Sequence, residues 1–285
     1  MNSREVLSIS TLVFVTFIWG VTFPIIKDVF LYLSPVNFLA LRFAVSTLLF
    51  LPVVIKKIKH VKSEEWKAGL IAGTLLFIAY YLQTIGLLYT QPALSGTITG
   101  IYVVFVPIIS YLYLRRRIAH VEVYSSAFAF IGLVLMSYSG LSNVSIELGD
   151  FMTLAAAVFY AMQLVYVSKH ASHIDTFVFS FIQIAVAAFF SAVFIPTFPE
   201  PFKITIYSAF VVLFTAVFAT FLATYVYVSA LSKMNVTKVG VILIGEPIFA
   251  DLTSVILYGE KIGPIALIGI IIMIASIGTI SYFAD

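Results

Sequence analysis

Arg42 and Glu246 are ionisable side chains set inside apolar runs of the chain, where a charge at the centre of a membrane helix costs about 2.5 to 3.5 kcal/mol. Groups kept at that cost face protein or a watery cavity, or snorkel to the surface, rather than sit in lipid. The flat guanidinium fork of Arg42 matches a carboxylate or a phosphate. The carboxylate of Glu246 suits a substrate ammonium group, or takes up a proton as a coupling ion. A helical rise of ~1.5 Å per residue puts Arg42 roughly 10 Å below one surface and Glu246 near the midplane, so their depths differ by only about 5 Å. Either the two flank a substrate, in which case a zwitterion fits between them, or they pair with each other. Asp251 follows Glu246 by five residues, about 140° round the helix, so the two carboxyls do not share a face and Asp251 is expected to be structural or gating.

Around these charges the sequence offers a wall. Trp19, Tyr80, Tyr81, Tyr160 and Tyr225 lie within apolar runs, whereas interfacial anchoring aromatics gather at span ends. Gln83, Thr84, Gln163 and Gln183 bring amide and hydroxyl groups that must be satisfied inside the bilayer. Aromatic surface with a few polar tips is the usual lining of a small-molecule pocket; packing between helices is the alternative for each residue. The four histidines, His60, His120, His170 and His173, fall in expected loops without a further ligand pattern, so no metal site is expected. The chain has no cysteine and no Walker-type glycine loop, so thiolate chemistry, ATP-driven pumping and a bound cofactor are not expected. Nor is an enzyme: the midplane offers one carboxylate and no cluster of nucleophile and base.

The elements that position these residues must be membrane helices. Hydrophobic residues make up 62% of the 285-residue chain and charged residues 10%, a balance foreign to soluble domains. Runs of the ~20 residues needed to cross ~30 Å of hydrocarbon lie at 7–26, 36–55, 68–89, 93–114, 123–140, 150–168, 177–197, 206–230, 237–257 and 262–283. This predicts an all-α integral membrane protein of ten transmembrane helices, with its function inside the bundle because no connection is long enough to fold a soluble domain. The first run lacks a small-residue cleavage pattern and is expected to be retained. With the N-terminus inside, twelve of the sixteen Lys and Arg residues fall in inner loops, Lys238 and the Arg115–Arg117 cluster among them, and three in outer loops. Both termini are therefore expected in the cytoplasm, with the protein in the plasma membrane. Anionic lipid suffices to explain the net charge of +3, and no nucleic-acid partner is expected.

The chain also repeats itself. Thr97, Gly100, Pro107 and Ile108 recur 140 residues later as Thr237, Gly240, Pro247 and Ile248; Trp19-Gly20, Phe38 and Arg42 recur 141 residues later as Tyr160-Ala161, Phe179 and Gln183. This places one five-helix repeat at 1–142 and a second at 143–285. Five is odd, so the second copy enters the membrane from the other side: the halves are inverted repeats, the architecture of alternating-access transporters with a midplane site. Pro107 and Pro247 are expected to bend the fourth and ninth helices in mirrored fashion. Gly100 and Gly240 are expected to let them flex, while Gly69, Gly73 and Gly96 serve close helix packing. The copies differ at Glu246, which replaces Val106, and at Arg42, which Gln183 replaces.

Trp19-Gly20, Phe23 and Lys27 in the first span, Pro35, Phe38 and Arg42 in the second, Gly149-Asp150 opening the second half, and Glu246-Pro247 with Phe249-Ala250 and Gly259-Glu260 in the ninth together resemble the EamA-like members of the drug/metabolite transporter superfamily. The resemblance spans the whole chain. It implies ten helices with cytoplasmic termini, a central cavity lined by helices one to four and six to nine, and peripheral helices five and ten, which are open to a homodimer contact. It also implies export of amino acids or related small metabolites, with sugar phosphates or nucleotide sugars carried by relatives. The reading is a permease exporting an amino-acid-like molecule by alternating access, linked to protons. The alternatives are a phosphorylated-metabolite exchanger, which needs more than one cavity cation, and a channel-like facilitator.

Overall fold

A computed structural model describes residues 3–141, 147–258 and 262–284. Among the described residues thirteen α-helices follow one another and no strand occurs. The first half contains α1 (Ser3–Val29), α2 (Pro35–Val54), α3 (Ser63–Gly86), α4 (Pro92–Gly100), α5 (Tyr102–Leu114) and α6 (His120–Leu141). The second half contains α7 (Leu148–His170), α8 (Thr176–Val193), α9 (Ile206–Ala216), a π-helical turn Val217–Leu222, α10 (Ala223–Leu231), α11 (Val236–Leu243), α12 (Gly245–Tyr258) and α13 (Pro264–Phe283). Nine stretches among the described residues are long and apolar enough to cross a membrane, α4–α5 and α9–α10 each counting as one. The tenth expected span is the pair α11 and α12, of 8 and 14 residues, each too short to cross alone. The expected boundary at 142–143 and the pair Gly259-Glu260 lie outside the described residues.

The two broken spans correct one expectation. Their breaks fall at Ile101 and Ile244, not at the prolines, and the repeat offset of 140 takes Ile101 to Val241, so the breaks are three residues out of register. Pro247 is the third residue of α12, in a first turn whose N–H groups have no intrahelical acceptor, so it is tolerated there. Pro107 instead sits inside α5, and the chain breaks one residue after Gly100.

The contacts reveal a two-fold relation between the halves. α1 packs on α12 as α7 packs on α4 and α5; α3 packs on α8 as the α9–π–α10 span packs on α2; α2 meets α8 and α6 meets α13 across the axis itself. The α6–α13 crossing needs glycine on both sides, since a Cβ on Gly132 would stand 2.7 Å from the Gly269 carbonyl oxygen and one on Gly269 would stand closer still to that of Gly132. Gly69 and Gly73 likewise bring α3 against Ile182, Gln183 and Val186 of α8.

The helix caps keep the same symmetry with different chemistry. Ser34 caps α2 and its Oγ donates to the Phe198 carbonyl at 2.5 Å. Displaced by 141 residues in both partners, Asp175 caps α8 and accepts from Lys57 Nζ at 2.6 Å. Burial opposes the charge on Asp175, but the hydrogen bond from Lys57 and the backbone amides of Val178 and Phe177 hold its carboxyl below the ordinary value of 3.8. A depressed carboxyl contributes stability that is complete above its unfolded pKa and lost as pH falls through the lowered folded one. Both partners are 44% exposed, so the effect is modest. Asp175→Asn keeps the cap, and the gap in thermal midpoint between wild type and variant is expected to be constant at neutral pH and to close below about pH 4. A gap that does not change with pH would contradict this account.

Candidate functional site

Helical spacing gathers the cavity wall. Trp19, Thr22, Phe23 and Ile26 share one face of α1; Leu76, Tyr80, Gln83, Thr84 and Leu87 run down one face of α3 and its end; Tyr160, Gln163 and Leu164 do the same on α7. These are the i, i+3, i+4 and i+7 neighbours of a 3.6-residue turn. Arg42, Thr99, Tyr102, Tyr227, Leu243 and Glu246 complete the lining. The space open to the centre of a water-sized sphere is about 70 Å³, so the cavity admits more than a single water.

Arg42 is 3% exposed and firmly held. Its Nε donates to Thr220 Oγ1 at 2.6 Å and its Nη2 to the Ala219 carbonyl at 3.1 Å, with the Tyr80 hydroxyl 3.5 Å away. The Tyr80 ring stacks under the guanidinium at 4.9 Å, a favourable cation–π distance. Trp19 Nε1 donates to the same Ala219 carbonyl at 2.9 Å. Ala219 and Thr220 both lie in the π-helical turn, where Ala223 N–H reaches back to Phe218, five residues earlier. Such single turns interrupt the regular ladder.

Glu246 is 7% exposed and sits in the first turn of α12, whose positive dipole end favours an anion. Its carboxylate makes no hydrogen bond or ion pair with any described residue, Arg42 included. Two hydrogen-bonded relays flank the space between them. In one, Tyr160 donates to Gln83 Oε1 at 2.8 Å and Gln83 Nε2 to Thr99 at 2.9 Å. In the other, Gln163 Nε2 donates to Gln183 Oε1 at 2.7 Å and to Tyr227 at 2.8 Å.

Of the residues expected at the site, Arg42, Glu246, Trp19, Tyr80, Gln83, Tyr160 and Gln163 line the cavity. Tyr81, Gln183 and Tyr225 do not. Tyr81 turns away to Thr197 and Phe194, Gln183 stands behind Gln163, and Tyr225 packs on Phe177 at 4.4 Å. Sequence reasoning passed over Tyr227, Tyr102, Thr99 and Thr220. Two residues turn a helix by about 200°, so Tyr225 and Tyr227 occupy opposite faces, and Thr220 stands 140 residues after Tyr80, at the repeat offset.

Lys27 and Lys238 are engaged elsewhere. Lys27 Nζ donates to the carbonyls of Leu87, Leu88 and Thr90 at 2.5, 2.7 and 3.1 Å, closing the end of α3. Lys238, expected in a loop, is 2% exposed in α11; its Nζ pairs with Glu5 and donates to the Ala284 carbonyl, both at 2.7 Å. Arg116 is likewise more than a topology signal. It grips the buried Glu122 through both oxygens and reaches Asn235 and Thr237 at the start of α11.

The family model of EamA-like transporters matches residues 6–138 and again residues 147–282. The chain belongs to the EamA-like transporter family. An uncharacterized transporter of Archaeoglobus fulgidus is 31% identical to this EamA-like protein over 271 residues, covering 95% of this chain and 84% of that relative. The uncharacterized transporter YvbV of Bacillus subtilis is 26% identical over 271 residues, covering 93% and 88%. A protein known from its crystal structure superposes with a TM-score of 0.81 over the whole chain and 98% of its own, at 15% identity, a likeness of fold. The EamA-like protein is thus an integral membrane protein related to transporters over nearly its full length.

Proposed function

We propose that this EamA-like protein is a secondary transporter that exports a compact, amino-acid-like zwitterion by alternating access, with the proton as coupling ion. The observation that carries the proposal is that Arg42 and Glu246 face one cavity and do not pair with each other. A buried ion pair would have left neither charge available to a ligand. Here the unengaged Nη1 edge of Arg42 suits a carboxylate, and Glu246 suits an ammonium group or a proton. The limited space, about 70 Å³ open to the centre of a water-sized sphere, favours a solute the size of a small amino acid over a nucleotide sugar. A phosphorylated-metabolite exchanger is disfavoured because Lys27 and Lys238 are both bound to protein acceptors.

Alternating access, rather than a pore, is supported by the packing at one end of the cavity, where Leu12, Val15, Leu231, Val236 and Val239 belong to one buried cluster. In this reading that end faces the cytoplasm, which the distribution of Lys and Arg favours, and the cavity extends toward the outer side at Ile26 and Leu87. The repeats at 1–142 and 143–285 are the rocking units in this reading, and the plasma membrane is its site.

The test is efflux from proteoliposomes loaded in turn with labelled neutral amino acids, their decarboxylated amines and sugar phosphates, with and without a pH gradient. Saturable efflux of the zwitterions, stimulated by the gradient, is expected. Transport of sugar phosphates alone, or a steady conductance in planar bilayers, would overturn the proposal.

A further inference from the structure

The π-helical turn between α9 and α10 is a defect in an otherwise regular span, and what surrounds it is specific. Ser46 Oγ donates to the Ala216 carbonyl at 2.8 Å, just before the turn. Inside it, the Ala219 carbonyl takes both the Arg42 guanidinium and the Trp19 indole, and the Thr220 hydroxyl takes Arg42 Nε at 2.6 Å. Three side chains from α1 and α2 of the first half are thus docked on one short segment of the second. Thr220 is 1% exposed and Ala219 is fully buried. Neither is a cavity-lining residue, so any effect on a ligand passes through Arg42 and Trp19.

We infer that Thr220 and the Ala219 carbonyl, presented by the π turn, are the positioning groups that aim Arg42 into the cavity. Nε and Nη2 are spent on the turn, and the Nη1 edge makes no hydrogen bond with a described residue, so that edge is the one directed to an anionic substrate group. A regular helix closes its backbone bonds four residues apart and crowds its carbonyls into the ladder. The π turn brings a carbonyl and a hydroxyl side by side where they meet the two sides of one guanidinium fork. The role of Arg42 as a substrate contact rests on the zwitterion reading above; its positioning by the turn does not.

The experiment separates the two. Full-length protein in nanodiscs is treated with phenylglyoxal, and modification of Arg42 is followed by peptide mass spectrometry for wild type, Thr220→Val and Thr220→Ser. Valine matches the shape of threonine but removes the acceptor. Freed at Nε, Arg42 is expected to react about ten-fold faster in Thr220→Val, the scale of a lost hydrogen bond to a charged group, and at the wild-type rate in Thr220→Ser. An unchanged rate in Thr220→Val, or failure of serine to restore it, overturns the inference.

In parallel, Trp66→Phe leaves Trp19 as the reporter indole, and its emission is titrated with L-leucine and with 3-methylbutylamine, the same skeleton without the carboxylate. Weaker leucine binding in Thr220→Val, by about ten-fold with the amine unchanged, supports positioning for substrate. If neither probe binds wild type while the phenylglyoxal rates change as expected, positioning stands and the zwitterion reading falls.

Discussion

Glu246→Gln is expected to abolish gradient-driven efflux, by about 100-fold or more, while the protein still folds and inserts. Glutamine keeps the volume and polarity of the side chain and removes its charge and its exchangeable proton. No described residue depends on that carboxylate for a hydrogen bond, so nothing is orphaned by the change. Its partner, Arg42→Gln, is expected to act differently, raising the half-saturating concentration of zwitterions about ten- to 100-fold, the range for losing a charge-assisted hydrogen bond, while leaving decarboxylated amines little affected. Flux measurements on both variants with zwitterionic, anionic and cationic solutes decide the matter. If the two substitutions depress every class alike, the residues do not divide the substrate between them.

The second large effect comes from a residue with no side chain. A Cβ on Gly20 would lie 2.6 Å from the Glu246 carbonyl oxygen, 2.6 Å from Phe249 Cβ and 2.8 Å from Ala250 N. Two of the three are backbone atoms, which have no rotamer to escape into, so α1 and α12 must part. Gly20→Val is expected to destabilise the protein by about 1 to 3 kcal/mol, as overpacked interiors do, and to stop transport, because the segment displaced carries Glu246. Thermal unfolding in detergent and efflux assays read the two effects. Gly278→Ala is the control: nothing lies within 4 Å of a Cβ there, and the variant should behave as wild type. Full activity in Gly20→Val would show that the α1–α12 contact is not part of the site's geometry.

The spans, the duplication and the similar depth of Arg42 and Glu246 were legible in the sequence, because hydropathy, period and the cost of buried charge act locally; whether the two charges paired was not. What lay beyond it depended on how neighbouring helices meet. Proline was read as the cause of the bends, yet at Pro247 the helix begins just before it and at Pro107 it continues through; the chain breaks at Ile101 and Ile244, each beside a glycine, Gly100 and Gly245. Lys238 was counted with the inner-loop cations at the edge of its span, whereas Glu5 and the Ala284 carbonyl, 233 and 46 residues away, make a buried site for it. Tyr225 and Tyr227 are chemically alike and only their phase on the helix separates wall from packing. The π turn, which decides where Arg42 points, has no sequence signature we can identify.

The caps of α2 and α8 hold one more consequence. Ser34 with Phe198 and Asp175 with Lys57 are the same contact copied to opposite ends of the molecule, neutral in one copy and ionic in the other. Salt screens exposed charge pairs strongly and leaves a hydroxyl-to-carbonyl bond nearly untouched. Raising the ionic strength is therefore expected to loosen the contact at one end of the molecule and to leave its counterpart at the other end nearly unchanged.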